Sequence, residues 1–265
     1  MEKIQMTYDL SLIMASIRTE RLVSIYESIK ESFHGSWELI IVSPYDLPEE
    51  LKDKENVQYF KDFSTPVRCW QIGLLNARGT WTQYPTDDAI YYPGSLDKAF
   101  ELIKQEGNDN VVIAGKYLEG TSHPGLMLSD QYYHLNYHNF LKPVMRKIKK
   151  DYLLLNAWVI SKRLMLELGG FDCTFEACAM ACCDLSIRVQ NYGIKVILQK
   201  DPMFHCTFFN GTDGDHAPVH NAQIMQDQPL FNHIYMGDGT FRTKIPLDNW
   251  KNVPDWWTRR FGEKK

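Results

Sequence analysis

The sequence predicts an α/β protein: a mixed, mostly parallel, Rossmann-like sheet flanked by helices. Three observations predict it. Short apolar runs recur at residues 10–15, 39–42, 81–84 and 111–114, the right length for strands buried on both faces. Between them, apolar residues fall at helical spacing. Strand and helix then alternate over residues 1–115, and right-handed crossovers place the strand ends on one edge.

Each element has its own warrant. Residues 10–15 are continuously apolar apart from Ser11. Thr19 is positioned to cap the next helix, whose stripe is Leu22, Ile25, Tyr26, Ile29 and Phe33. Residues 39–42 form a second strand, ended by Ser43-Pro44, and residues 57–60 a short third. Thr65-Pro66 starts a helix, with proline at the first helical position. Its buried face is Val67, Trp70, Leu74 and Leu75, and Gly79 closes it. A strand at 81–84 follows, and Tyr91-Tyr92-Pro93-Gly94 turns the chain. Ser95 caps a helix with Leu96, Ala99, Phe100 and Ile103 inside, and 111–114 is a strand again. Beyond 115 the pattern loosens: strands at 157–160 and 195–198, and helices at 162–168 and 184–192, the latter two ended by Gly169-Gly170 and Gly193. From Phe208 onward little periodicity remains. The segment is rich in Gly, Asp, His, Asn, Pro and aromatics, which predicts an irregular lid or binding loop.

Composition narrows the function classes. The chain has 265 residues, 44% hydrophobic and 23% charged, as in ordinary globular proteins. Its net charge is −4 and its pI about 6.1, so it carries no global basic field for nucleic acid or anionic membrane. A local basic run, Lys142, Arg146, Lys147, Lys149 and Lys150, reads as a solvated face. No apolar stretch approaches roughly 18 residues, so no integral membrane segment is expected. The N-terminus lacks a signal-peptide pattern. The expectation is a cytoplasmic protein whose six cysteines are reduced thiols. Cys173, Cys178, Cys182 and Cys183 cluster, but not at the spacing of a structural zinc site.

The chemistry concentrates in Thr86-Asp87-Asp88, directly after the strand at 81–84. Open α/β sheets bind ligands at the carboxyl ends of their strands. Two adjacent carboxylates there are costly unless a cation or a ligand hydroxyl uses them. The simplest user is a divalent metal carrying a diphosphate. Neither a G-x-G-x-x-G nor a G-x-x-x-x-G-K-[ST] motif is present, which disfavours a dinucleotide fold and a P-loop.

Four blocks carry a family resemblance. They are Leu10-Ser11-Leu12-Ile13-Met14-Ala15 with Arg18; Ala77-Arg78-Gly79-Thr80-Trp81 running into Thr86-Asp87-Asp88-Ala89-Ile90-Tyr91; Gly169-Gly170-Phe171-Asp172; and Asp184-Leu185 with Arg188. With these the chain resembles the GT-A-fold glycosyltransferases of family 2, nearest in its acidic motif to the spore-coat type. The resemblance implies a single GT-A catalytic domain over 1–207, with a nucleotide-donor half (1–115) and an acceptor half (116–207), and a C-terminal lid over 208–265. It implies a metal-dependent, inverting transfer from a nucleotide-diphosphate sugar, by default a UDP-sugar, to an acceptor hydroxyl.

Residue by residue, the resemblance marks Ala15, Ser16, Arg18, Ser43, Arg68, Asp87 and Asp88 as donor-binding. Asp87 would touch the ribose or sugar, and Asp88 would ligate Mn²⁺ or Mg²⁺. His205 is the candidate second metal ligand, with His216 and His220 as rivals. Asp184 is the candidate general base, with Glu176 as the alternative, because the positions where the family carries an acidic pair read Ala181 and Cys182. Asp184 is equally suited to a helix N-cap. A second departure is Ser43-Pro44, where the family often has an acid that reads the nucleobase. Trp70, Trp81, Trp158, Trp250, Trp256 and Trp257 are candidate sugar platforms. The acceptor is a glycan or another hydroxyl-bearing molecule, a modified nucleic-acid base included. Two rival readings are a non-catalytic sugar- or polymer-binding relative, and a nucleotidyltransferase. The latter's glycine-rich basic loop has no counterpart in Ser16-Ile17-Arg18-Thr19-Glu20.

Overall fold

A computed structural model describes residues 7–120, 126–127, 129–206, 217–238 and 241–252. The chain runs β1 (Tyr8–Ala15), α1 (Leu22–Ser32), β2 (Trp37–Ser43), α2 (Glu49–Lys52), β3 (Val57–Lys61), α3 (Pro66–Asn76), β4 (Gly79–Gln83), β5 (Ala89–Tyr91), α4 (Ser95–Glu106) and β6 (Val111–Glu119). It continues through β7 (Leu126–Met127), α5 (Lys142–Ile148), β8 (Val159–Ser161), α6 (Lys162–Glu167), α7 (Cys178–Asn191), β9 (Lys195–Cys206), α8 (Ala217–Ala222) and α9 (Gln228–Met236). The strands form one sheet in the order β3-β2-β1-β4-β8-β6-β9-β5, with β7 beside β6. β1 pairs in parallel with β2 and β4, β2 with β3, and β6 with β9. β8 runs antiparallel to β4 and β6, and β5 antiparallel to β9. The sheet is therefore mixed and mostly parallel.

β1 shows how the sequence builds both layers. Leu10, Leu12 and Met14 point to one face, against Leu22, Ile25 and Ile29 of α1 and Leu96, Ala99 and Ile103 of α4. Ile13 points to the other, against Val67, Trp70 and Leu74 of α3. That second face continues under α6 and α7 and reaches Phe231 and Tyr235 of α9. Apolar residues on both faces of a period-2 strand are what a strand covered on both sides requires.

Several local expectations resolve differently. Gly79 does not close α3; it opens β4, and a Cβ there would stand 2.5 Å from the Ser11 backbone nitrogen, so its smallness serves strand–strand approach. Thr65 does cap α3, its hydroxyl accepting the Arg68 N–H at 3.2 Å. Ser95 is not a cap: Gly94 holds that position with φ of 68°, and the Ser95 hydroxyl donates to the Met203 carbonyl at 2.7 Å. α7 begins six residues before Asp184, at Cys178, so Asp184 is no N-cap. No disulfide joins the six cysteines. Among the described residues no helix is long and apolar enough to cross a membrane.

Part of the segment expected to be irregular, from residue 208 on, is helical. α8 and α9 are joined by a π turn, Gln223–Asp227. The fully buried residues of α9 are only Phe231 and Tyr235, one turn apart. So narrow a stripe gives little periodic signal in the sequence.

Candidate active site

A cavity of about 300 Å³ opens at the carboxyl edge of β1, β2, β3 and β4. The loop after β1 contributes Ala15, Ser16, Ile17 and Arg18. The end of β2 gives Val42 and Pro44, and the start of α3 gives Pro66, Cys69 and Trp70. The β4–β5 loop supplies Thr86, Asp87 and Asp88. The far wall is Ala177, Cys178 and Ala179 at the start of α7, with Val219, His220 and Gln223 from α8 and the π turn. The shared direction of β1, β2, β3 and β4 puts the segments after them on one side, as in other open α/β sheets.

Asp87 holds the loop that forms the cavity's floor. One carboxylate oxygen accepts the backbone N–H of Ile17 at 2.8 Å and of Arg18 at 3.1 Å. The other accepts the Arg18 guanidinium. Burial pushes the Asp87 carboxyl above its ordinary range, and the neighbouring charge of Asp88 adds to this. Arg18 and the two N–H groups pull the other way. Asp88, only 6% exposed, is beside it.

Two buried polar atoms of the cavity lining have no protein partner: the Ser16 hydroxyl and the Trp70 indole nitrogen. Each residue is 3% exposed. Most buried polar groups are satisfied, and an orphan costs roughly 1–3 kcal/mol. Both atoms lie behind the lining surface, so a ligand reaches them only after a side-chain rotation.

No family model matches the sequence, and no curated protein matches it. Solved structures do. One of S. aureus TarS, residues 1-349, gives a TM-score of 0.57 at 14% identity over 94% of this chain and 79% of that one. The same segment in complex with UDP gives 0.59 at 12% identity, over 98% of this chain and 73% of that one. A longer TarS structure gives 0.57 at 13% identity, over 88% of this chain and 43% of that one. The fold is of the GT-A type. At such identity the likeness carries architecture and nothing finer.

Within this GT-A sheet, Ala15, Ser16, Arg18, Asp87 and Asp88 come together around the cavity. Ser43 and Arg68 do not line it. Ser43 is fully buried, its hydroxyl accepting the Tyr45 N–H at 3.0 Å, and Pro44 and Val42 face the space instead. The Arg68 guanidinium is turned to Asp62 and to the Trp250 carbonyl, and it stacks 5.0 Å over the Trp250 ring. It anchors the chain's C-terminal part.

Asp184 is the larger correction. It is fully buried, away from the cavity, and its carboxylate serves three donors: Arg188 Nε at 2.7 Å, Tyr235 Oη at 2.7 Å and Arg242 Nη1 at 3.2 Å. Arg188 in turn donates to the carbonyls of Leu168 and Gly170. Arg242 also binds Asp172 of the Gly-Gly-Phe-Asp loop. A carboxylate fully buried, held by three donors and absent from the cavity lining gives an acceptor hydroxyl no access; its contacts dock α9 and the 242 segment onto α7. Glu176, 1% exposed, does not line the cavity either.

His205 is 9% exposed and absent from the cavity wall; its Nε2 donates to the Gly120 carbonyl at 2.7 Å. His216 lies outside the described residues, as do Trp256 and Trp257. Among the described residues no group of three or more His, Cys, Asp or Glu side chains could hold a metal. Trp81 and Trp158 are core, Trp158 lying 5.3 Å from Tyr84 in a stack. Trp70 alone of the described tryptophans reaches the cavity.

Sequence reasoning missed two contributors. Glu119, at the end of β6, pairs in register with Cys206 of β9, which pairs with Ala89 next to Asp88. Burial and the Asp88 charge both raise its carboxyl. Asp227, fully buried, accepts the backbone N–H groups of Glu176 and Ala177 at 2.6–3.0 Å, capping α7 from a segment 50 residues away. Neither contact has a local signal.

Proposed function

We propose that the protein is a glycosyltransferase that takes a sugar from a nucleotide-diphosphate donor, most simply a UDP-sugar, and passes it to an acceptor hydroxyl with inversion at the anomeric carbon. The observation that carries this is the cavity itself: paired acids, Asp87 and Asp88, on its lining at the carboxyl edge of a GT-A sheet. The TarS structure with UDP is similar in fold, which supports the choice of nucleotide.

The residues divide the work. Asp87 fixes the β1 loop, so that Ser16 and the backbone of residues 15–18 stand ready for the donor. Asp88 is the residue to hold Mn²⁺ or Mg²⁺. A single carboxylate suits an ion that arrives with its diphosphate, since Mg²⁺ is commonly bound by one or two carboxylates, waters and substrate phosphates. When bound, such an ion supplies Lewis-acid stabilisation of the charge growing on the leaving diphosphate. Val42, Pro44 and Pro66 offer apolar lining for a nucleobase.

Isothermal titration of UDP with and without Mn²⁺, followed by UDP release from UDP- and GDP-sugars, tests the reading. Wild type should bind UDP more tightly with Mn²⁺ and release UDP from at least one sugar donor, and Asp88→Asn should lose the metal-linked part of binding. Failure of the folded wild type to bind any donor removes the proposal. A second reading, a non-catalytic sugar-binding relative, is favoured by Ala181 and Cys182, both buried and neither acidic. Donor binding without UDP release would establish it.

A further inference from the structure

We infer that His220 is the group that accepts the proton of the attacking hydroxyl, in place of the carboxylate that α7 lacks. This rests on the glycosyl-transfer reading above. Displacement at an anomeric carbon needs a base within reach of the incoming oxygen. Among the described residues, the cavity wall carries six titratable side chains: Arg18, Cys69, Asp87, Asp88, Cys178 and His220.

Four of the six are poorly suited, and a fifth, Cys178, is the rival that the test addresses. Arg18 stays protonated and is bound to Asp87. Both Asp87 oxygens hold the β1 loop. Asp88 is assigned to the cation. Burial pushes the Cys69 thiol far above its ordinary value. Cys178 stands in the first turn of α7, and Cys178→Ser in the assay below separates it from His220. His220 is an imidazole, half-buried on the wall facing the acids, and imidazole is the side chain whose ordinary titration falls near neutral pH.

Its placement is built, not incidental. The π turn after α8 adds one residue per turn relative to an α-helix. Val219 and His220 of α8 and Gln223, the first residue of that turn, line the cavity, while Asp227 at its end holds the Glu176 and Ala177 N–H groups. Phe231 and Tyr235, both fully buried, seat the following helix, and the Tyr235 hydroxyl donates to Asp184. The same carboxylate that cannot act as base therefore holds the helical unit that presents His220.

The step balances without further reagents. The acceptor O–H proton passes to an unprotonated imidazole nitrogen as the oxygen bonds to the anomeric carbon. The bond from that carbon to the diphosphate oxygen breaks, its electron pair leaves on the diphosphate, and the imidazolium returns its proton to solvent.

Water can stand in for the unidentified acceptor, so UDP release from UDP-glucose and UDP-N-acetylglucosamine with Mn²⁺ is the assay. His220→Gln should lower kcat on the order of 100-fold, with KM and the UDP dissociation constant within about threefold of wild type. The acidic limb of the wild-type pH–rate profile should disappear, and added imidazole should restore His220→Ala. Met225→Ala, a 75% exposed position on the same helical unit, should behave as wild type. A folded His220→Gln with kcat within threefold, an unchanged acidic limb, or no rescue of His220→Ala overturns the inference while leaving the transfer reading intact. A loss confined to Cys178→Ser overturns it as well. A wild type that binds UDP but releases none from either sugar overturns both together.

Discussion

Asp184→Asn separates a structural anchor from a chemical base. Asp184 and Arg188 are both fully buried and 2.7 Å apart, so the substitution leaves a guanidinium in the core without its counter-charge. Breaking one side of a buried ion pair costs roughly 3–5 kcal/mol. Unfolding entropy of about 2.1 cal/mol/K per residue, taken over the 265 residues, is roughly 0.56 kcal/mol/K. A loss of about 4 kcal/mol then lowers Tm by about 7 °C. That is a sizeable share of the ~5–15 kcal/mol that holds a typical domain folded. Asparagine keeps the shape and one acceptor oxygen, so the fold should persist at 20 °C. Thermal unfolding followed by circular dichroism measures the shift, and UDP release at 20 °C measures the chemistry. The expected outcome is a Tm lowered by 5–9 °C with kcat at 20 °C within about fivefold of wild type. A Tm within 2 °C of wild type together with loss of turnover would sink the structural assignment and return Asp184 to the chemistry.

Two further outcomes follow from the same contacts. Asp227→Ala removes the acceptor for the Glu176 and Ala177 N–H groups. Losing a cap and burying unsatisfied donors should together cost about 2–4 kcal/mol, and hydrogen exchange at those two amides should speed by at least tenfold. Unchanged protection there would show that something else caps α7. Glu119 binds its proton more tightly folded than unfolded, because burial and Asp88 disfavour its charge. Its ionisation therefore costs nothing below the unfolded value near 4.5 and subtracts stability as pH rises above it. The Tm of Glu119→Gln minus that of the metal-free wild type should be near zero at pH 4 and positive at pH 7. A negative difference at pH 7 contradicts the assignment.

Residues 1–115 were legible because their signals are local. The apolar run of β1, the stripe of α1 and the Thr65-Pro66 start of α3 are each written in adjacent residues, and Thr86-Asp87-Asp88 sits where those elements place a ligand. The α7 region was not legible, because its cap is Asp227 and its salt bridge reaches Arg242, both far along the chain. The alanines, cysteines and Met180 at 177–183 give neither a cap nor a clear stripe, so the first visible polar residue, Asp184, drew a role that the fold gives to docking. His220 was weighed only as a rival metal ligand, since nothing near it in sequence tells that α8 meets the cavity. β5, three residues long, is too short to stand out from a turn.

The Asp227 tie also has a temporal meaning. Residues 217–238 make one wall of the cavity and stabilise the start of another, yet they are synthesised after the whole sheet. A nascent chain emerging through β9 has a trough in place of a pocket. The wall that Val219, His220 and Gln223 supply therefore joins the cavity only after β9 has left the ribosome.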